Sequence, residues 1–95
     1  GQTIHFKFRE KGAKVIRADL IYTLNGNERH EEWFRIVGPK NFSQGVSFSF
    51  PIGATHCFLN LIDENNFLVS YPETPDYASL SKTKEKFAKF AIPVE

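Results

Sequence analysis

Three histidines, one cysteine and a short acidic and amide run are the residues of this chain whose types could do chemistry. His5, His30 and His56 fall one per region, and none has a second donor at the i, i+2 or i+4 spacing that would place two ligands on one metal ion. The sequence therefore predicts no metal and no cofactor. Asp63-Glu64-Asn65-Asn66 groups oxygen donors as a calcium loop does, but lacks the central glycine and distal glutamate of the helix-loop-helix calcium loop. Asp and Asn are also the residues that turns select, and a hairpin turn is the reading we adopt.

No catalytic residue emerges from the remaining candidates. Cys57 sits in an apolar run, where a thiol behaves as a small hydrophobe and makes a poor nucleophile. Ser47, Ser49 and Ser70 have no adjacent glycine elbow, and no local pattern supplies a base and an orienting acid. Glu31 and Glu32 are adjacent, so on a strand they would point to opposite faces and could not converge on one substrate. Lys82, Lys84, Lys86 and Lys89, interleaved with Phe87 and Phe90, read as a solvated face rather than a membrane contact. No enzymatic activity is expected of the isolated domain.

Aromatic side chains left open to solvent could stack on sugar rings. Of Trp33, Tyr22, Tyr71 and Tyr77, the first two fall where core is expected. Tyr71 and Tyr77, in the proline-punctuated stretch Tyr71-Pro72-Glu73-Thr74-Pro75-Asp76, are the candidate ligand-binding residues.

The elements that would position these groups are strands. Ala18-Asp19-Leu20-Ile21-Tyr22-Thr23-Leu24 and Glu32-Trp33-Phe34-Arg35-Ile36-Val37 are rich in β-branched and aromatic residues, and a polar segment with Asn25-Gly26 lies between them. They are expected to form the antiparallel pair at the centre of the core, with Trp33 as its largest apolar side chain. Strict alternation in Thr3-Ile4-His5-Phe6-Lys7-Phe8 predicts a half-buried strand before this pair. Val46, Phe48 and Phe50 alternate with Ser47 and Ser49 in another strand, stopped by Pro51 and Gly53. Residues 56–62 and 67–70 flank the acidic turn as a hairpin. A short helix or turn is expected over 78–89, from Leu80, Lys84, Phe87 and Ala91 on one helical face, and residues 88–94 could end as a strand. The expected core is Trp33, Tyr22, Leu20, Phe6, Phe48, Phe50, Phe58 and Leu61.

Ninety-five residues suffice for one domain with its own core. Ten phenylalanines and no methionine favour stiff aromatic packing, and turn signals at roughly ten-residue intervals match an all-β immunoglobulin-like or fibronectin-like β-sandwich of six to eight antiparallel strands. A small barrel is the alternative. Twelve basic and eleven acidic residues leave a net charge of +1, so no broad field draws the domain to nucleic acid or an anionic membrane. One cysteine excludes an internal disulfide framework. With no initiator methionine, leader or long apolar run, the sequence reads as a fragment of a larger protein.

The run Ala18-Asp19-Leu20-Ile21-Tyr22-Thr23, the polar loop, Trp33 after its Arg/Glu-rich approach, then Phe58-Leu59-Asn60-Leu61-Ile62-Asp63 and Val69-Ser70 carry a resemblance. Over residues 3–71 the chain resembles the immunoglobulin-like sandwich appended to secreted bacterial hydrolases, among them α/β-hydrolase and sulfatase-like enzymes. The resemblance implies a non-catalytic accessory or interaction module, secreted or periplasmic, whose partner is a neighbouring domain of the parent chain. It carries over no functional residue. The competing expectation is a carbohydrate-binding or adhesion module, with a glycan as partner.

Overall fold

Wherever apolar residues alternate with polar ones, the chain extends, because a strand sends successive side chains to opposite faces and only one of them needs burial. The computed structural model describes residues 2–8, 12–39, 45–72 and 86–94. Its strands are β1 (Gln2–Lys7), β2 (Val15–Thr23), β3 (Trp33–Val37), β4 (Gly45–Phe50), β5 (His56–Asp63), β6 (Leu68–Tyr71) and β7 (Ile92–Pro93), with one 3-10 turn at Phe87–Phe90. The protein is all-β, and every described strand pairing is antiparallel.

The strands form two sheets. β1 pairs with β4, and the larger sheet runs β3-β2-β5-β6, with β7 also on β5. β2 occupies one edge of β5 from His56 to Asp63. The other edge is therefore shared end to end by β7, opposite His56 and Cys57, and β6, opposite Leu59 to Ile62.

Residues directly opposite one another share a face, so the register assigns every side chain. Ala18, Leu20 and Tyr22 line up with Leu61, Leu59 and Cys57 on one side and, for the last two, with Ile36 and Phe34 on the other. This face joins Phe6 of β1 and Val46 and Phe48 of β4 in one buried cluster that includes Ala18, Leu20, Ala54, Cys57 and Leu59. The Phe6 and Phe48 rings meet edge to face, centroids 6.4 Å apart. Each large apolar side chain removed from water here contributes roughly 1.5–3 kcal/mol. Ser47 and Ser49 face outward as their alternation predicts.

Three expectations need correction. The central pair is β2–β5, not β2–β3: among the described residues β3 is an edge strand, while the apolar β5 run is flanked on both sides. Phe58 is buried as expected, but neither it nor Trp33 joins the Leu20 cluster. Their register with Thr23 and Ile21 puts them on the opposite face, where the two rings pack at 5.4 Å and Trp33 is only half-buried. Tyr22 and Leu61 are half-buried at the cluster's margin. The side chain of Phe50 lies outside the described residues, as does most of the helix or turn expected over 78–89, of which the Phe87–Phe90 turn is the described end.

Candidate functional site

β6 holds the described half of the candidate ligand-binding pair. Tyr71 is the last residue of this strand, opposite Leu59, and not the first residue of an irregular loop. The residue is 60% exposed, and its ring meets that of Phe6 edge to face at a centroid distance of 6.5 Å. Tyr77 lies outside the described residues. Beside Tyr71 the strand and the residue leading into it leave Phe67 69%, Leu68 59% and Val69 62% exposed. Residues 67–70 read as a strand in the sequence, but that β6 has a neighbour on one side alone among the described residues is not legible there, because it depends on which strands lie beside it.

The hairpin entering β6 is built by Asp63. Its Oδ1 accepts the backbone N–H groups of Asn65 at 2.8 Å and Phe67 at 3.0 Å. Asn66 takes the left-handed conformation at φ 65°, which an Asn tolerates better than most residues. The Asp63 oxygen expected to serve a turn does so, and Glu64 Oε1 reaches across to accept from the Lys14 N–H.

The three histidines occupy separate places. His5 Nδ1 hydrogen-bonds the Ser47 hydroxyl across β1 and β4, His30 is exposed in the β2–β3 loop, and His56 Nδ1 lies 3.0 Å from Thr55 Oγ1. Among the described residues no three His, Cys, Asp or Glu side chains gather in a way that could hold a metal ion. His5 and Ser47 place an imidazole against a hydroxyl, but on an exposed sheet face, where water competes for every developing charge.

Cys57 is fully buried, and desolvation pushes its thiol up to about 11. Burial and the raised value keep it a thiol at neutral pH, which makes it a poor nucleophile. The Glu31 carboxylate is engaged by the loop, its Oε2 accepting the Asn27 N–H at 2.6 Å, while Glu32 takes part through its backbone, its carbonyl accepting the Thr23 hydroxyl at 2.6 Å. In the basic tail, Lys86 Nζ donates to the Arg29 carbonyl at 2.8 Å. Lys82 and Lys84 lie outside the described residues.

One polar group escaped notice in the sequence. Asp19 is buried in the centre of β2, paired with Arg17 at 2.9 Å. Its second oxygen, Oδ1, has no hydrogen-bond partner. Opposite Asp19 on β5 stands Asn60, whose Oδ1 accepts the Ser70 hydroxyl of β6 at 2.7 Å. The spacing of Arg17 and Asp19, two apart on one strand face, was the available signal. The ion pair lies within β2, the Asn60–Ser70 bond ties β5 to β6, and the amide that accepts the Ser70 hydroxyl is not a base that could activate it.

No family model matches the chain, and neither a curated protein nor a solved structure matches it significantly.

Proposed function

We propose that the chain is a non-catalytic interaction module, an immunoglobulin-like sandwich serving a larger, secreted bacterial hydrolase by burying a patch of its surface against a neighbouring domain. The observation that carries this reading is the run of exposed apolar side chains at Phe67, Leu68, Val69 and Tyr71. Phe67, Val69 and Tyr71 share one face of the strand, and neighbouring exposed apolar side chains mark interaction sites more often than scattered single residues do. The groups with reactive potential are meanwhile spent on structure: the Cys57 thiol is buried, and the carboxylates of Asp63 and Glu31 hold turns.

Titration of the domain with the adjoining domain of its parent chain tests the proposal. Binding should be saturable and should weaken at least tenfold on Val69→Lys, because a buried ammonium without a partner is costly. Equal binding by both proteins would overturn it.

The second reading, a carbohydrate-binding module, is favoured by the open Tyr71 ring. A glycan array comparing the natural sequence with Tyr71→Ala and Tyr77→Ala separates the two. Binding of a defined glycan that either change abolishes would reverse the ranking.

A further inference from the structure

We infer that β6 is a self-complementary edge through which two copies of this chain pair antiparallel about a two-fold axis, joining their larger sheets into one. This rests on the reading of the same strand as an interaction surface and names its occupant as a second copy.

The backbone of β6 is the first observation. The Asp63 N–H donates to the Phe67 carbonyl at 3.1 Å, so 63 and 67 form a hydrogen-bonded pair. Antiparallel ladders alternate bonded and non-bonded pairs. Continuing the register, Leu61↔Val69 and Leu59↔Tyr71 are bonded pairs, while Ile62↔Leu68 and Asn60↔Ser70 are not. The N–H and C=O groups of Leu68 and Ser70 therefore point away from β5, toward the open edge. Among the described residues no strand pairs with β6 on that side.

Symmetry then selects the register. In a two-fold antiparallel pair, opposed side chains must share a face, and bonded pairs must join the outward groups of each copy. Placing Val69 opposite the second copy's Val69 meets both conditions. Leu68 then stands opposite the second copy's Ser70, twice by symmetry, so both outward-facing residues of each copy are hydrogen-bonded. A shift centred on Ser70 would instead set Leu68 against Pro72, which has no N–H, and one centred on Leu68 would set Ser70 against Asn66, whose N–H already donates to the Asp63 carbonyl at 3.0 Å.

Side chains agree with this register. Phe67, Val69 and Tyr71 lie on one face, and the pairing sets Phe67 beside the second copy's Tyr71 and Val69 beside its own counterpart. These contacts fall at non-bonded pairs, where facing side chains come closest. No residue from 67 to 72 is charged, so the strand meets its copy without the like-charge repulsion by which edges are commonly blocked. A four-residue edge buries less than the roughly 1,200 Å² of a standard stable interface, which sets the expected dissociation constant in the micromolar range or weaker.

Sedimentation velocity across a concentration series reads the equilibrium. The natural sequence should pass from monomer to dimer. Val69→Lys, which sets two ammonium groups face to face, should weaken the dimer at least tenfold. Leu68→Pro should weaken it too, because it removes an outward N–H while leaving the ladder to β5 intact. Circular dichroism melts of both variants at low concentration should stay near that of the natural sequence. In the predicted register the two Val69 Cα atoms lie roughly 4.5 Å apart, within disulfide range, so Val69→Cys should form a covalent dimer on mild oxidation. Leu68→Cys should not, and the buried Cys57 does not compete. A protein that stays monomeric to about 1 mM overturns the inference, even if Val69→Lys still abolishes binding to a neighbouring domain. A dimer that both Val69→Lys and Leu68→Pro leave unchanged, or equal cross-linking by the two cysteine variants, overturns it as well.

Discussion

Cys57 and Asp19 stand on neighbouring strands, β5 and β2, with their side chains on opposite faces of the sheet, and both are buried. For Cys57 the consequence is a pH dependence. The thiol's ordinary value of 9.0 rises to about 11 in the fold, so the folded state holds a proton that the unfolded state has released. The stabilising contribution is whole below pH 9 and is lost as pH climbs through about 11, amounting to about 3 kcal/mol. Urea midpoints measured from pH 8 upward should fall over that window, and Cys57→Ala should remove this part of the slope. For Asp19, Arg17→Ala leaves a carboxylate buried without its ion-pair partner, at a cost of about 3 kcal/mol. Replacing an exposed arginine such as Arg29 should move the midpoint little, and an equal loss from both would show that pairing the buried Asp19 carboxylate with the half-exposed Arg17 has no special weight.

At the scale of elements, the β2–β3 connection is held by Asn25. Its Oδ1 accepts the Glu32 N–H at 3.0 Å and its Nδ2 donates to the His30 carbonyl at 2.8 Å, so one side chain ties both ends of the loop. Gly26 packs so tightly against Thr55 and His56 that a Cβ there would collide with both side chains, and its N–H donates to Thr55 Oγ1 at 2.9 Å. Asn25→Ala should cost about 1–2 kcal/mol in thermal or urea unfolding, because two backbone groups lose their partner. Asn25 and Gly26 were legible in the sequence as turn residues; that Asn25 closes the loop on itself and Gly26 staples it to the start of β5 was not. The same division runs through the strands. Period two in Thr3-Ile4-His5-Phe6-Lys7-Phe8 or Val46-Ser47-Phe48-Ser49 is a local property and reads directly. Whether β2 has β3 or β5 as its principal neighbour is decided between distant residues, and so is the choice of face for Phe58 against Leu59 in a run that is apolar on both. The open edge at β6 has the same origin. Tyr71 looked like a loop residue because Pro72 follows it, yet a strand can extend to the residue before a proline, which favours extended backbone.

For the molecule as a whole, the two sheets depend on one shared cluster. Phe48 is 4% exposed between β4 and the larger sheet, and Phe48→Ala should cost about 3–5 kcal/mol. Trp33→Ala, at a half-buried edge position, should cost less despite removing a larger side chain. The reverse order of urea midpoints would place the centre of the fold on the Trp33 face. The ladders that build both sheets also have a consequence in time. His5 and Ser47 are 42 residues apart, and β2 finds β5 only after the β2–β3 hairpin, the loop and β4 have intervened. Neither sheet can gain its defining partner without first closing a long stretch of chain, an entropy cost met before the contacts return it. Folding governed by such distant pairings runs in milliseconds to seconds rather than microseconds. Stopped-flow fluorescence of Trp33, which packs on Phe58 only once β5 has arrived, should report that slow step, and Phe58→Leu should chiefly alter its amplitude.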